Sequence, residues 1–186
     1  MDVTVIRGRR KTISVEVRPD GIIARAPRWV PRYEIDRFIE KQSAWIERQK
    51  KKLAQAAAEF DSVEPITEAE LKVLSAQAKR VIPERVRYYA PLVGVDYGRV
   101  TIRAQRTRWG SCSVKGNLNF NCLLMLTPPE VLDSVVVHEL CHRRHMNHSA
   151  AFYAEIERVY PEYRKWNRWL KKNGRALLLR LEKGRT

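Results

Sequence analysis

The feature that most constrains this chain is a cluster of histidines in its second half. All four histidines of the 186-residue sequence lie within eleven positions: His138, His142, His145 and His148. The preceding residues, 127–130, have the threonine, prolines and glutamate that are typical of a helix start. The apolar residues of 131–140 then predict a buried helix that carries the first two histidines.

His138 and His142 lie four residues apart in the motif HELCH. On a helix, this spacing places two side chains on one face, about 6 Å apart along the axis. Two such imidazoles can bind one zinc ion at about 2.0–2.1 Å. Glu139 can reach a water activated by the metal without being a ligand itself, which is the logic of HExxH hydrolases. We therefore predict His138 and His142 as ligands and Glu139 as the general base.

A catalytic zinc usually has three protein ligands and one open position. We favour His148 as the third ligand, because it follows an expected helix stop at Asn147 and a turn there can bring it back to the metal. His145 is less suitable, since it lies about 10.5 Å along the axis from His138 on a straight helix. The alternatives to His148 are His145 and two carboxylates on the following helix, Glu155 and Glu157.

The charge of the chain favours anionic partners. Lys and Arg number 36 against 21 Asp and Glu, which gives a formal charge of +15. Residues 158–186 alone have ten Lys and Arg and two Glu, a local charge of +8, with Trp166 and Trp169 among them. Contact with nucleic acid or a nucleotide is therefore a hypothesis beside that of a solvated basic surface.

The cysteine count and the hydropathy of the sequence indicate the cellular compartment and whether the chain contacts a membrane. Three cysteines, at 112, 122 and 141, do not form a disulfide framework. No run approaches the roughly 18 apolar residues of a membrane helix. We expect a cytoplasmic protein with no membrane contact.

The N-terminal part predicts strands followed by a helix. Apolar residues alternate at 3–7, 13–17 and 22–26, and Pro19-Asp20-Gly21 predicts the turn of a β-hairpin. A helical stripe after Pro31 predicts one long helix to about residue 60. With a linker after it, the chain divides into an N-terminal part, residues 1–60, and a second part, residues 61–186, which we expect to form one compact unit.

The second part predicts a mixture of long helices and short strands. Thr67 and Glu70 form a capping box for a helix in which Pro83 predicts a kink or break. Residues 100–106 and 117–121 predict strands, and the polar side of the second is a candidate edge for an extended peptide. A last helix is expected to end at Gly174. The fold class is α+β, with a small antiparallel sheet, an N-terminal β-hairpin and long helices.

Several motifs accompany the histidines: Arg108-Trp109-Gly110-Ser111-Cys112, residues 117–123, Asn147-His148-Ser149 and Phe152-Tyr153. Together with HELCH, they resemble the YgjP-like metallopeptidases, predicted zinc-dependent hydrolases related to the SprT-like proteases. The resemblance extends to about Gly174. It implies a zincin-like core, Zn²⁺ as cofactor, His138, His142 and His148 as its ligands, and Glu139 as the base.

These observations predict a zinc-dependent metallopeptidase that acts on flexible or unfolded polypeptide. Candidates for stabilising the oxyanion or contacting the substrate are Arg108, Asn119, Tyr153 and Tyr160. Two other functions remain open: a metal-dependent nucleotide or phosphoester hydrolase, and a DNA-associated protease or nucleic-acid-binding module.

Overall fold

The computed structural model describes residues 3–184. The chain divides into two compact units, Met1–Ser62 and Val63–Thr186. Across the described residues, no helix is both long and apolar enough to cross a membrane.

The first unit is a three-stranded sheet with two helices. The strands are β1 (Val3–Gly8), β2 (Ser14–Arg18) and β3 (Gly21–Pro27), and β3 lies in the middle, antiparallel to β2 and parallel to β1. The expected strands and the turn between β2 and β3 are therefore present. The alternation of β3 buries Ile22, Ala24 and Ala26 on one face of the sheet.

The helical segment of this unit is divided, whereas the apolar stripe predicted one continuous helix. Helix α1 (Arg32–Lys41) ends at Gln42, whose backbone N–H donates to both Phe38 O and Ile39 O. Helix α2 (Ser43–Ser62) begins directly afterwards. Ile35 and Ile39 of α1 and Ile46 of α2 are buried, so the apolar stripe covers the core across the break.

The second unit begins with helix α3 (Glu68–Val93). Thr67 is its N-cap and accepts a hydrogen bond from the N–H of Glu70 at 3.1 Å, as predicted. Gly94 ends the helix with a φ of 73°. Of the kink or break predicted at Pro83, the break is wrong, because α3 continues through Pro83 to Val93.

The sheet of the second unit is mixed rather than antiparallel as predicted. Its strands are β4 (Val100–Arg103), β5 (Gly110–Cys112) and β6 (Leu118–Asn121), in the order β4-β6-β5. Strand β6 pairs with β5 through the turn at residues 113–117 and runs parallel to β4 on its other side. Since β6 is the central strand, the prediction that residues 117–121 offer a free edge is wrong.

A 3-10 helix (Cys122–Leu126) leads into α4 (Pro129–Cys141), which is followed by α5 (Ala150–Val159) and α6 (Tyr163–Lys183). Helix α4 is surrounded by the core, with Val131, Val136, Val137 and Leu140 fully buried. A bidentate ion pair attaches it to α3, because Arg85 donates two hydrogen bonds of 2.7 Å to Asp133.

The end predicted for the last helix at Gly174 is wrong, because α6 continues for nine residues beyond it. A Cβ on Gly174 would lie 2.9 Å from Cζ2 of Trp109, so the glycine allows close packing rather than ending the helix. The rest of α6 packs on the same unit, where Leu181 is buried and Arg180 donates to the Glu70 carboxylate at 3.1 Å.

Candidate metal centre

The end of α4 places the two histidines of HELCH beside each other. The helix ends at Cys141, and His142 is its C-cap residue with helical backbone angles. His138 and His142 therefore lie one turn apart, and their Nε2 atoms are 3.2 Å from each other. Glu139 lies between them in sequence and is 5% exposed.

His148 reaches the same point from the loop between α4 and α5. Its Nε2 atom is 3.2 Å from Nε2 of His138. Ser149 caps α5 by accepting from the N–H of Phe152 at 3.4 Å, as predicted. The helix stop predicted at Asn147 is wrong, since α4 ends six residues earlier and, among the described residues, only glycines have a positive φ.

The three histidines form a set of nitrogen donors that fits one metal ion. A candidate ligand atom of each lies within 4.8 Å of the others. Nitrogens bound to one tetrahedral zinc at its usual bond length are about 3.3 Å apart. The two observed separations of 3.2 Å therefore match the spacing that a shared metal requires.

The hydrogen bond of His142 determines which of its nitrogens has a free lone pair. Its Nδ1 atom is 3.0 Å from the backbone oxygen of His145. A carbonyl oxygen can only accept, so Nδ1 has the proton, and Nε2 of the neutral ring has the lone pair that a metal needs. His145 thus contributes to the site through its backbone, and its side chain is not part of the ligand set.

His138 has a comparable partner that the sequence did not indicate. Its Nδ1 atom is 2.8 Å from the hydroxyl of Tyr163, which is buried at the start of α6. A proton on Nδ1 that points to this hydroxyl leaves the Nε2 lone pair directed at the other two histidines. Tyr163 is 25 residues from His138, and no motif connects them.

Burial favours the neutral, metal-binding form of the two helix histidines, His138 and His142. Burial, with a smaller effect from the neighbouring His142 and His148, lowers the pKa of His138 to about 3. Burial also lowers the pKa of His142. Phe152 is part of this apolar surrounding, because its ring stacks on His142 with centroids 4.6 Å apart.

Glu139 lies under strand β5 in a very confined space. A Cβ added to Gly110 of β5 would be only 2.6 Å from its Oε1 atom. Burial raises the pKa of the Glu139 carboxyl to about 8, although the Arg108 guanidinium lowers it. A cation at the three histidines would favour the ionised carboxylate, so the donor set and the buried acid complement each other.

The structure separates the predicted substrate contacts. Tyr153 lies near the histidines, with its ring centroid 6.3 Å from that of His148. Arg108 is exposed and acts on the pKa of Glu139. Asn119 donates to Ser111 Oγ within the sheet. Tyr160 lies elsewhere, because its hydroxyl donates to Glu130 O in the first turn of α4.

The two carboxylates considered as alternative ligands are paired with arginines. Glu155 accepts from Arg158 at 2.9 Å and from Arg144 at 3.3 Å. Glu157 forms an ion pair with Arg164. His148, and neither carboxylate, lies in the group with His138 and His142.

Two cavities adjoin the metal centre. One of about 200 Å³ is lined by His138 and Glu139 together with Trp109, Gly110, Ser134, Val135, Tyr163, Asn167 and Leu170. The other, of about 610 Å³, shares Tyr163 and Asn167 with the first. We call it the basic cavity, since its remaining lining residues are Tyr153, Arg164, Arg168 and Lys171.

A donor set of three histidines beside a buried glutamate is a site of the kind found in metal-dependent hydrolases. The model of the YgjP-like metallopeptidase domain matches residues 11–72 and 66–173. These ranges include most of the chain, which therefore belongs to the YgjP-like family, as the motifs predicted. Family membership makes the chain a metal-dependent peptidase in general terms.

Two solved structures are similar to part of the chain. The crystal structure of the metallopeptidase zymogen abylysin of Pyrococcus abyssi is 22% identical, covers 51% of this chain and 97% of its own, and has a TM-score of 0.46. The crystal structure of the metallopeptidase zymogen jannalysin of Methanocaldococcus jannaschii is 18% identical, covers 50% of this chain and 97% of its own, and has a TM-score of 0.45. The comparison with curated proteins gave no match.

Proposed function

We propose that the chain is a zinc-dependent peptidase that hydrolyses flexible or unfolded polypeptides, with Glu139 as general base. The observation that supports it most is the meeting of three Nε2 donors beside one buried carboxylate. Residues 61–186 are the proposed zincin-like domain, because every residue of the candidate site belongs to this part of the chain. An odd number of cysteines, three, agrees with a reducing, cytoplasmic location.

Zinc is the metal that the donors favour. A set of neutral imidazoles suits zinc and other transition metals, whereas calcium and magnesium prefer oxygen ligands. With three protein ligands and one open position, bound Zn²⁺ would supply a Lewis acid that lowers the pKa of a water and polarises a carbonyl.

The chain's own residues account for the proton transfers and the ligand geometry. Glu139 accepts a proton from the attacking water as the C–O bond forms, and gives it to the leaving amine as the C–N bond breaks. Tyr163 and the backbone oxygen of His145 orient His138 and His142 through their Nδ1 atoms. Tyr153 and Arg108 remain the proposed substrate contacts on this side of the molecule.

The test is a pair of isosteric substitutions on the same helix. Glu139→Gln is expected to retain the metal and lose hydrolysis of unfolded casein, measured with metal analysis of the same samples. Glu130→Gln, an exposed position in the first turn of α4, is the matched control and should keep both. Hydrolysis by Glu139→Gln at the wild-type rate would refute the proposal.

A second candidate is the hydrolysis of a nucleotide or another phosphoester at the same centre. The basic cavity favours it, because Arg164, Arg168 and Lys171 line a cavity that shares Tyr163 and Asn167 with the one containing His138 and Glu139, and guanidinium groups bind phosphate well. Release of phosphate or pyrophosphate from nucleoside triphosphates by the zinc-loaded protein, compared with cleavage of casein, separates the two. The nucleic-acid alternative has less support, since Trp166 and Trp169 pack against the core.

A further inference from the structure

The basic cavity lies along α6, beside the smaller cavity that is lined by His138 and Glu139. Tyr163 and Asn167 line both this cavity and the smaller one that contains His138 and Glu139. A substrate whose reacting bond lies beside Glu139 therefore has room for its neighbouring groups in the basic cavity. Its volume of about 610 Å³ is in the range of ligand-binding cavities.

The charged residues that line this cavity all have the same sign. Arg164, Arg168 and Lys171 are four and three residues apart, so they lie along one face of α6. Like charges at this spacing destabilise a helix, and among the described residues no carboxylate lines the cavity. A bound anion would reduce the repulsion between these neighbouring cations.

Two of the three cations are available for that anion. Arg164 is paired with Glu157. Arg168 uses its Nε atom to donate to the backbone oxygen of Arg164 at 3.3 Å, which leaves its terminal amino groups. Lys171 is exposed and, within residues 3–184, has neither a hydrogen bond nor an ion pair.

We propose that the basic cavity is a subsite for an anionic group of the substrate, bound by Arg168 and Lys171 next to the bond that is hydrolysed. The inference rests on the proposed hydrolase function for its placement of the substrate. The group that a peptide and a nucleotide substrate could both present to this subsite is an anionic oxygen, which arginine binds through paired N–H groups. In a peptide, the group is an Asp or Glu side chain near the scissile bond; in a nucleotide, it is a phosphate.

Binding to an inactive protein tests the subsite separately from catalysis. Zinc-loaded Glu139→Gln protein is titrated with two fluorescent peptides that differ only in three Glu or three Gln residues, and the anisotropy is measured. We expect the Glu peptide to bind roughly tenfold more tightly at low salt, and the difference to shrink at about 1 M salt. ATP, added as a competitor, tests the phosphate source.

Charge-reversed variants identify the residues. The double substitution Arg168→Glu with Lys171→Glu should remove the preference for the Glu peptide and displacement by ATP. Lys51→Glu with Lys52→Glu changes the net charge equally at two exposed positions of α2 and should leave both intact. Equal binding of the two peptides together with no displacement by ATP would overturn the subsite. Equal losses in both double variants would also overturn it.

The peptide titration and the ATP competition distinguish a carboxylate from a phosphate as the bound anion. Together with a hydrolysis assay, they also test the subsite separately from the proposed peptidase activity. Displacement by ATP without peptide discrimination assigns the cavity to phosphate, whereas discrimination between peptides assigns it to carboxylate. Selective binding without hydrolysis of any peptide by the wild-type protein would refute the peptidase and leave the subsite. Hydrolysis without any dependence on Arg168 and Lys171 would refute the subsite and leave the peptidase.

Discussion

Replacement of Gly110 by alanine tests whether the position of Glu139 controls the reaction. The added Cβ would lie 2.6 Å from Oε1, 2.7 Å from Cγ and 2.9 Å from Cδ of Glu139. Ordinary contacts begin at 3.4 Å, so the two groups must separate by about 0.5–0.8 Å. The substitution therefore moves the proposed base without changing any proposed ligand.

The side chain of Glu139 is expected to move rather than the strand. Gly110 is opposite the fully buried Phe120 in β6, and Trp109 O accepts from Asn121 N at 2.8 Å. A displacement of about 1 Å at a reacting group can reduce the rate about 100-fold. We therefore expect kcat/KM to fall about 10- to 100-fold, an increase of about 1.4–2.7 kcal/mol in the activation free energy.

The assay measures kcat, KM and metal content of the same preparation. Most of the loss should be in kcat, because the base acts in the chemical step, and the zinc content should remain that of the wild type. Gly8→Ala is the control, since a Cβ on Gly8 would meet no atom within 4 Å. In a Glu139→Gln background, Gly110→Ala should cause no further loss, because its effect acts through Glu139.

Wild-type kcat in folded Gly110→Ala protein would refute this reasoning. An equal additional loss in the Glu139→Gln background would also refute it, since the effect would then arise elsewhere in the site. If zinc is lost instead, Gly110 acts on the ligands and not on the base.

Three further predictions concern the surroundings of the site. Tyr163→Phe removes the hydroxyl partner of His138, so zinc affinity measured by chelator competition should fall about 10- to 100-fold. At pH 5.5, zinc binding to Glu139→Gln protein should release clearly fewer than three protons in a pH-stat titration, because burial lowers the pKa of His138 to about 3 and the ring is already neutral. Asp133→Asn weakens the pair with Arg85 and should lower the free energy of unfolding by about 1–3 kcal/mol in urea.

Each of these predictions has a contrary outcome. Tyr153→Phe is the control for Tyr163→Phe, because among the described residues the Tyr153 hydroxyl has no hydrogen bond to a proposed ligand. An equal loss of zinc affinity in Tyr153→Phe would contradict the role of Tyr163. Release of nearly three protons would mean that His138 is protonated in the metal-free protein at pH 5.5. Lys72→Gln is the control for Asp133→Asn, because it disrupts an exposed i,i+4 pair and should change the free energy of unfolding by less than about 0.5 kcal/mol. A larger effect for Lys72→Gln than for Asp133→Asn would contradict the prediction for Asp133.

The parts of the site that the sequence predicts are those within one element or one loop. His138, Glu139 and His142 follow from helical periodicity, because a spacing of four residues has one geometric meaning on a helix. The placement of His148 needs a turn and only ten residues of chain. The position of the turn was wrong, but a short loop allows several routes to the same point, so the error at Asn147 did not change the ligand that was predicted.

Gly174 shows why contacts between distant residues escape such reasoning. Glycine is common at helix ends, so the sequence predicted that the helix stops there. Its actual role is steric, since Trp109 occupies the space of its missing side chain. The two residues are 65 positions apart, and no local pattern distinguishes a glycine that ends a helix from one that admits an indole ring.

Asn121 is a second residue whose role depends on contacts that the sequence does not indicate, here with the loop that carries Arg108. Strand periodicity predicted that Asn119 and Asn121 share the polar face of their strand, yet Asn121 is fully buried. Its amide donates to Gln105 O at 2.7 Å and to Arg108 O at 3.0 Å, so it holds the chain just before Trp109 and Gly110. Periodicity indicates which side chains share a face but not what covers that face. The confinement of Glu139 therefore depends on an asparagine that no sequence pattern links to the metal centre.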